Sequence, residues 1–100
     1  MIRHIVMWRL ADTAENNSKV QNAAIIKKML LGLSAKVSFV KKIEVGVNID
    51  ESDAAYDLVL ITEFENVEDL NRYKIHPDHV KVSEFVQKVR VARCVVDYEL

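Results

Sequence analysis

One hundred residues make one domain with a modest core, burying roughly 60–70% of the surface of the unfolded chain. Half of them are apolar, too many for a disordered chain, and 14 basic against 15 acidic side chains leave a net charge of −1. That balance supplies no basic field for nucleic acid, and no apolar run approaches the roughly 20 residues that span a bilayer.

The chain opens on MIRHIVMWRL. Ile2, His4, Val6, Trp8 and Leu10 alternate with Arg3, Ile5, Met7 and Arg9, which is the period of a strand. His4 and Arg9 interrupt the apolar stretch and no small-residue cleavage site follows. The segment therefore reads as a strand and not as a secretory leader, and the expected location is cytoplasmic. The polar stretch DTAENNS ends it. Val20, Ala23, Ile26, Leu30 and Leu33 then recur at spacings of 3 and 4, the apolar face of a helix with Lys19, Lys27 and Lys28 elsewhere. Gly32 weakens its last turn.

VSFVKKIEVGVNI predicts a second strand, with Ile43, Val45, Val47 and Ile49 on one face. Gly46 inside it marks a bulge or the close approach of another backbone. DESDAA connects it to YDLVLITEF, residues 56–64, which is apolar on both faces. Asn66 caps a helix whose short apolar face is Val67, Leu70 and Tyr73. In YKIHPDHVKVSEF the Ile75–His76–Pro77 step must interrupt that helix, because proline lacks a donor and restricts the residue before it. Pro77 suits the first turn of a second helical piece, which buries Val82, Phe85 or Val86, and Val89. VARCVVDYEL closes the chain as a fourth strand. Cys94 is the only cysteine, so no intrachain disulfide forms, and it reads as a small buried side chain.

The order β-α-β-β-α-β predicts an α+β, ferredoxin-like domain over residues 1–100. It is a four-stranded antiparallel sheet with helices on one face. Strands 1 and 3 are apolar on both faces, and the helices cover only one. A second copy of the chain is the simplest cover for the other, giving a homodimeric α/β barrel.

The chemistry centres on histidine. His4 shares a strand face with Val6 and Trp8, and His79 falls three residues before Val82 on the inner side of the last helix. If those faces meet, the two imidazoles converge in an apolar pocket beside the Tyr73 hydroxyl, with Trp8 and Leu58 in its walls. An unperturbed imidazole titrates at about 6.5, so either ring can exchange a proton near neutrality. The same pair can instead hydrogen-bond each other or the backbone and close the polar ends of a solid core. His76 reads as a helix-start residue. His-x-x-His places rings on one helical face, but Pro77 puts His76 outside the helix and no acidic third ligand is placed, so no metal is expected. Neither a phosphate-cradling glycine loop nor a Gly-x-Ser-x-Gly elbow occurs, and no cofactor is expected.

MIRHIVMWRL, IEVGVNI, YDLVLITEFENVEDLNRYKIHPDHVKVSEFV and RCVVDYEL together resemble the stress-responsive α/β-barrel (Dabb, dimeric α+β barrel) family. The most specific part is Tyr-x-x-His-Pro-x-His combined with a strand-borne histidine near the amino terminus. The resemblance implies a ferredoxin-like homodimer and no single activity. In a plant branch that cyclises linear polyketides, the catalytic strand histidine matches His4. The histidine after the His-Pro step matches His79, and the motif tyrosine matches Tyr73. The tyrosine that branch carries on its first helix has no counterpart in residues 1–32, and LSAKVSF stands where the family has an Ile-Pro-Gly-like turn. Two function classes follow. One is a homodimer that binds a small apolar or aromatic ligand through His4, Trp8, Leu58, Tyr73 and His79. The other is a cofactor-free cyclase, isomerase or monooxygenase using His4 and His79 as acid and base, with Tyr73 beside them.

Overall fold

The structure is a computed structural model that describes all 100 residues. The elements run β1 (Ile2–Leu10), β2 (Thr13–Ala14), β3 (Asn17–Ser18), α1 (Lys19–Gly32), β4 (Lys42–Val47), β5 (Leu58–Phe64), α2 (Val67–Ile75), α3 (Pro77–Val89) and β6 (Arg90–Glu99). A short 3₁₀ turn, Leu33–Ala35, extends α1. The main sheet has four strands in the order β4-β5-β1-β6, with every neighbouring pair antiparallel. This is the ferredoxin-like arrangement expected from the pattern. No helix is long and apolar enough to cross a membrane.

Strand register divides the sheet into two faces. Toward the helices, Leu60–Val6–Val95 and Thr62–His4–Asp97 form cross-strand rows. Toward the open side, the rows are Val59–Met7–Cys94, Ile61–Ile5–Val96 and Glu63–Arg3–Tyr98. The inner residues of β1 are buried and its outer residues are not, so the alternation in MIRHIVMWRL is a true two-sided pattern. The core lies between the inner face and the helices, filled by Val6, Ile26, Leu30, Leu58, Leu60, Phe64, Tyr73 and Val89 among others.

Several local expectations are corrected. Val20 is 78% exposed, and Asn22 is fully buried in α1. Asn22 Nδ2 donates to the Ala14 carbonyl (3.0 Å), and Asn17 Nδ2 donates to Asn22 Oδ1 (3.2 Å). DTAENNS is not a plain break. It forms the β2–β3 hairpin, whose turn holds Glu15 and Asn16 at φ of 51° and 62°. Asn22 ties this hairpin to α1, so the polar residue is the one buried. Ile49 does not continue the second strand and is 98% exposed. The strand stops at Val47, where Asn48 Oδ1 takes the Asp50 N–H (2.9 Å) and turns the chain away. Val67 also lies exposed at the start of α2, leaving Leu70 and Tyr73 as its buried face.

Gly46 is neither a bulge nor a backbone contact. The β4–β5 register runs unbroken through it, and a Cβ there would lie 2.9 Å from Val59 Cγ1. The glycine makes room for a cross-strand side chain. α1 starts with a capping box: Gln21 N–H donates to Ser18 Oγ (3.2 Å), and Ser18 N–H donates to Gln21 Oε1 (2.8 Å).

Candidate functional site

The helix break builds one wall of the site. His76 is extended (φ −64°, ψ 133°), closing α2 and opening α3 with Pro77 in the first turn. Its Nδ1 accepts the Asp78 N–H at 3.2 Å, the helix-start role expected for it. That bond takes the donor that would otherwise meet the Lys74 carbonyl in a continuous helix. His79 Nδ1 donates to that carbonyl at 3.1 Å. A carbonyl only accepts, so the hydrogen sits on Nδ1 and leaves Nε2 as a free acceptor.

The opposite wall is β1. His4 is 3% exposed. Antiparallel pairing sets it directly across from Asp97 on the helix-facing side, with Nδ1 and Oδ1 2.5 Å apart. Lys74 Nζ stands 3.9 Å from the other oxygen of Asp97. The carboxylate holds the His4 ring by Nδ1, which again leaves Nε2 free. Tyr73, fully buried, packs near both histidines. Its ring centroid is 6.3 Å from that of His4 and 4.3 Å from that of His79, and it also packs on Phe64 at 5.0 Å.

Both imidazoles have pKa values held below the ordinary histidine value, first by burial. For His4, Asp97 works against that effect while Lys74 and Arg93 add to it. For His79, the Lys74 carbonyl opposes, and His4, Arg93 and His76 add to the depression. Burial pushes the Tyr73 phenol far up, so it is a protonated donor, and its oxygen has no hydrogen-bond partner.

Those depressions set a pH dependence. Below the ordinary imidazole pKa the unfolded chain binds protons that the folded one resists. Stability is therefore full above that value and falls as pH drops toward the folded values. The melting temperature will fall between pH 7.5 and 5.5, and by less in His79→Gln than in the native protein. Equal slopes in the two would show that His79 is not desolvated.

A cavity of about 260 Å³ opens between β1, β5 and α3, and His4, Trp8 and His79 all line it. Two expected residues stand elsewhere. Tyr73 lies behind the histidines, and Leu58 lines a separate hollow at the β4–β5 connection, which holds no histidine. Leu60, one inward position along β5, takes the place expected of Leu58. Sequence reasoning missed Asp97, Arg90 and Arg93, which either contact His4 or line the cavity. The available signal was parity: Arg93, Val95 and Asp97 share one face of the last strand.

The arrangement can bind a small molecule against Trp8 and the α3 valines, and it can accept protons or hydrogen bonds at two imidazoles. Comparison with known proteins agrees with the fold. The family model described as "Stress responsive A/B Barrel Domain" matches residues 2–100. The chain is 27% identical over 99 residues to the stress-response A/B barrel domain-containing protein DABB1 of Arabidopsis thaliana, covering 98% of this chain and 46% of that protein. It thus spans about half the length of that curated relative. A dimeric protein of ferredoxin-like fold from Bacteroides fragilis superimposes with a TM-score of 0.82 at 31% identity, over 99% of this chain and 95% of that one. A hydroxynitrile lyase from Passiflora edulis shares the fold with a TM-score of 0.81 at 17% identity, over 99% and 92%. With a four-stranded ferredoxin-like sheet and a family match over residues 2–100, the chain belongs to the stress-responsive A/B barrel (Dabb) domain family.

Proposed function

We propose that the protein is a homodimer that binds a small, partly aromatic ligand in the cavity between its sheet and α3. The observation that carries this reading is the shared lining: His4 from β1 and His79 from α3, each tied by Nδ1, bound one space with Trp8. A solid core would have filled that space with side chains. Dimerisation is supported by the open apolar rows of the sheet and by the dimeric state of the Bacteroides fragilis protein.

Trp8 is the only tryptophan, so its fluorescence reports on the cavity directly. A panel of one-ring aromatic compounds should include members that change that emission saturably and raise the melting temperature. Ser83→Trp, which fills the space from α3, should abolish the melting shift. No thermal shift with any compound, or an undiminished shift in Ser83→Trp, would sink the binding reading.

The free Nε2 atoms favour a second reading, cofactor-free acid–base catalysis by His4 and His79. Neutral imidazoles in a desolvated site are suited to take a proton from an enolisable carbon. Exchange of the methyl protons of acetophenone in D₂O, followed by NMR, tests it. Acceleration lost in both His4→Ala and His79→Ala supports catalysis, and a rate equal to that of buffer removes it.

A further inference from the structure

Two of the cavity's lining residues are cationic and unmatched. Arg93 stands opposite Trp8 on the helix-facing side of β6. Arg90 ends α3 and begins β6, at a register shift that pairs it with Leu10. No carboxylate lies within 4.0 Å of either guanidinium. No aspartate or glutamate lines the cavity, and Asp97, which holds His4, is already engaged by His4 and Lys74. The field of Arg93 reaches both histidines and helps to keep them neutral. The site thus carries two guanidinium charges that the protein does not answer. Val6, Leu30, Leu60, Val82 and Val86 give the cavity an apolar wall, interrupted on α3 by Ser83 and Gln87.

We propose that the ligand is a small aromatic or apolar carboxylic acid, its carboxylate held by Arg90 and Arg93 and its apolar body against Trp8, Val82 and Val86. This rests on the ligand-binding reading above. A guanidinium fork matches a carboxylate in two parallel hydrogen bonds, and both charges here are free to make them. Burial of the ring against Trp8 and the valines supplies the rest of the affinity, so a bare anion lacks half of what the site recognises.

Phenylacetate, its neutral isostere phenylacetamide and inorganic phosphate test the proposal, read by Trp8 fluorescence and calorimetry. Phenylacetate should bind about tenfold or more tighter than the amide, as expected for hydrogen bonds between ions. Arg90→Gln and Arg93→Gln should each shrink that preference, and the double variant should abolish it. Both arginines lie outside the buried core, so these variants retain the fold. Equal binding of acid and amide by the native protein would overturn the assignment of an acid and leave the cavity reading standing. So would a preference that survives in the double variant. Phosphate binding as tightly as phenylacetate would overturn it too, by showing that the apolar wall contributes nothing. Failure of both aromatic compounds to bind would overturn the acid proposal together with the cavity reading.

Discussion

Ile61→Glu will sediment as a monomer at micromolar concentrations at which the native chain sediments at twice its mass. Ile61 sits in the middle of the open face, directly across from Ile5 on one side and Glu44 on the other. Around it lie Met7, Val59, Cys94 and Val96, with Arg3, Glu63 and Tyr98 forming a polar row beyond. An apolar centre with a polar rim is the usual anatomy of an interface. Burying it gains roughly 25 cal/mol per Å² of apolar area. A glutamate at its centre forces an unpaired carboxylate out of water in both copies, at several kcal/mol each. It also sets a like charge opposite Glu44, which weakens the sheet by a smaller amount. Val20→Glu, on an exposed position of α1, should leave the dimer intact. A dimer that survives Ile61→Glu, or a native chain that is already monomeric, would show that the open face is not the interface.

Tyr73 will give opposite results with its two obvious replacements. Tyr73→Ala removes the ring that packs on Phe64, His4 and His79, and should cost about 3–5 kcal/mol, as large aromatic truncations in cores do. For a chain of this size the melting temperature then falls by tens of degrees. Tyr73→Phe keeps the ring and deletes a buried hydroxyl that has no partner. It should leave stability unchanged or raise it by about 1 kcal/mol. If the hydroxyl donates to a bound ligand, Tyr73→Phe will weaken binding while the protein becomes no less stable. If it loses stability instead, the hydroxyl has a structural partner, and Tyr73 is not available to a ligand.

The contrast between these residues shows what periodicity can reveal. Alternation in β1 and β5 sorted their residues into the right two sets, because a strand has only two faces, but with both sets apolar it did not say which one meets the helices. The break at His76–Pro77 was legible for an equally local reason, the geometry that proline imposes. Val20 and Ile49 failed because hydropathy alone does not see a polar anchor. Asn22 is buried by its bonds to the hairpin, and Asn48 turns the chain before Ile49 can enter the sheet. In the site, His4, Trp8 and His79 were legible as members of inner faces. Their partners were not, since Asp97 and Arg93 reach the site through the β1–β6 register, which a single sequence does not state. Leu58 and Leu60 share a face, so parity could not tell which of them meets the cavity, Leu60 across from Val6 or Leu58 across from Trp8.

The three histidines offer the most direct test of the central claim, that His4 and His79 share one ligand site. Their ring protons can be followed by NMR while phenylacetate is added. His4 and His79 line the cavity, and His76 stands outside it with Nδ1 occupied by the Asp78 amide. The expected result is that the His4 and His79 signals shift together and saturate at one concentration, while His76 stays in place. If only one of the pair shifts, if the two saturate at different concentrations, or if His76 alone responds, the shared site does not exist.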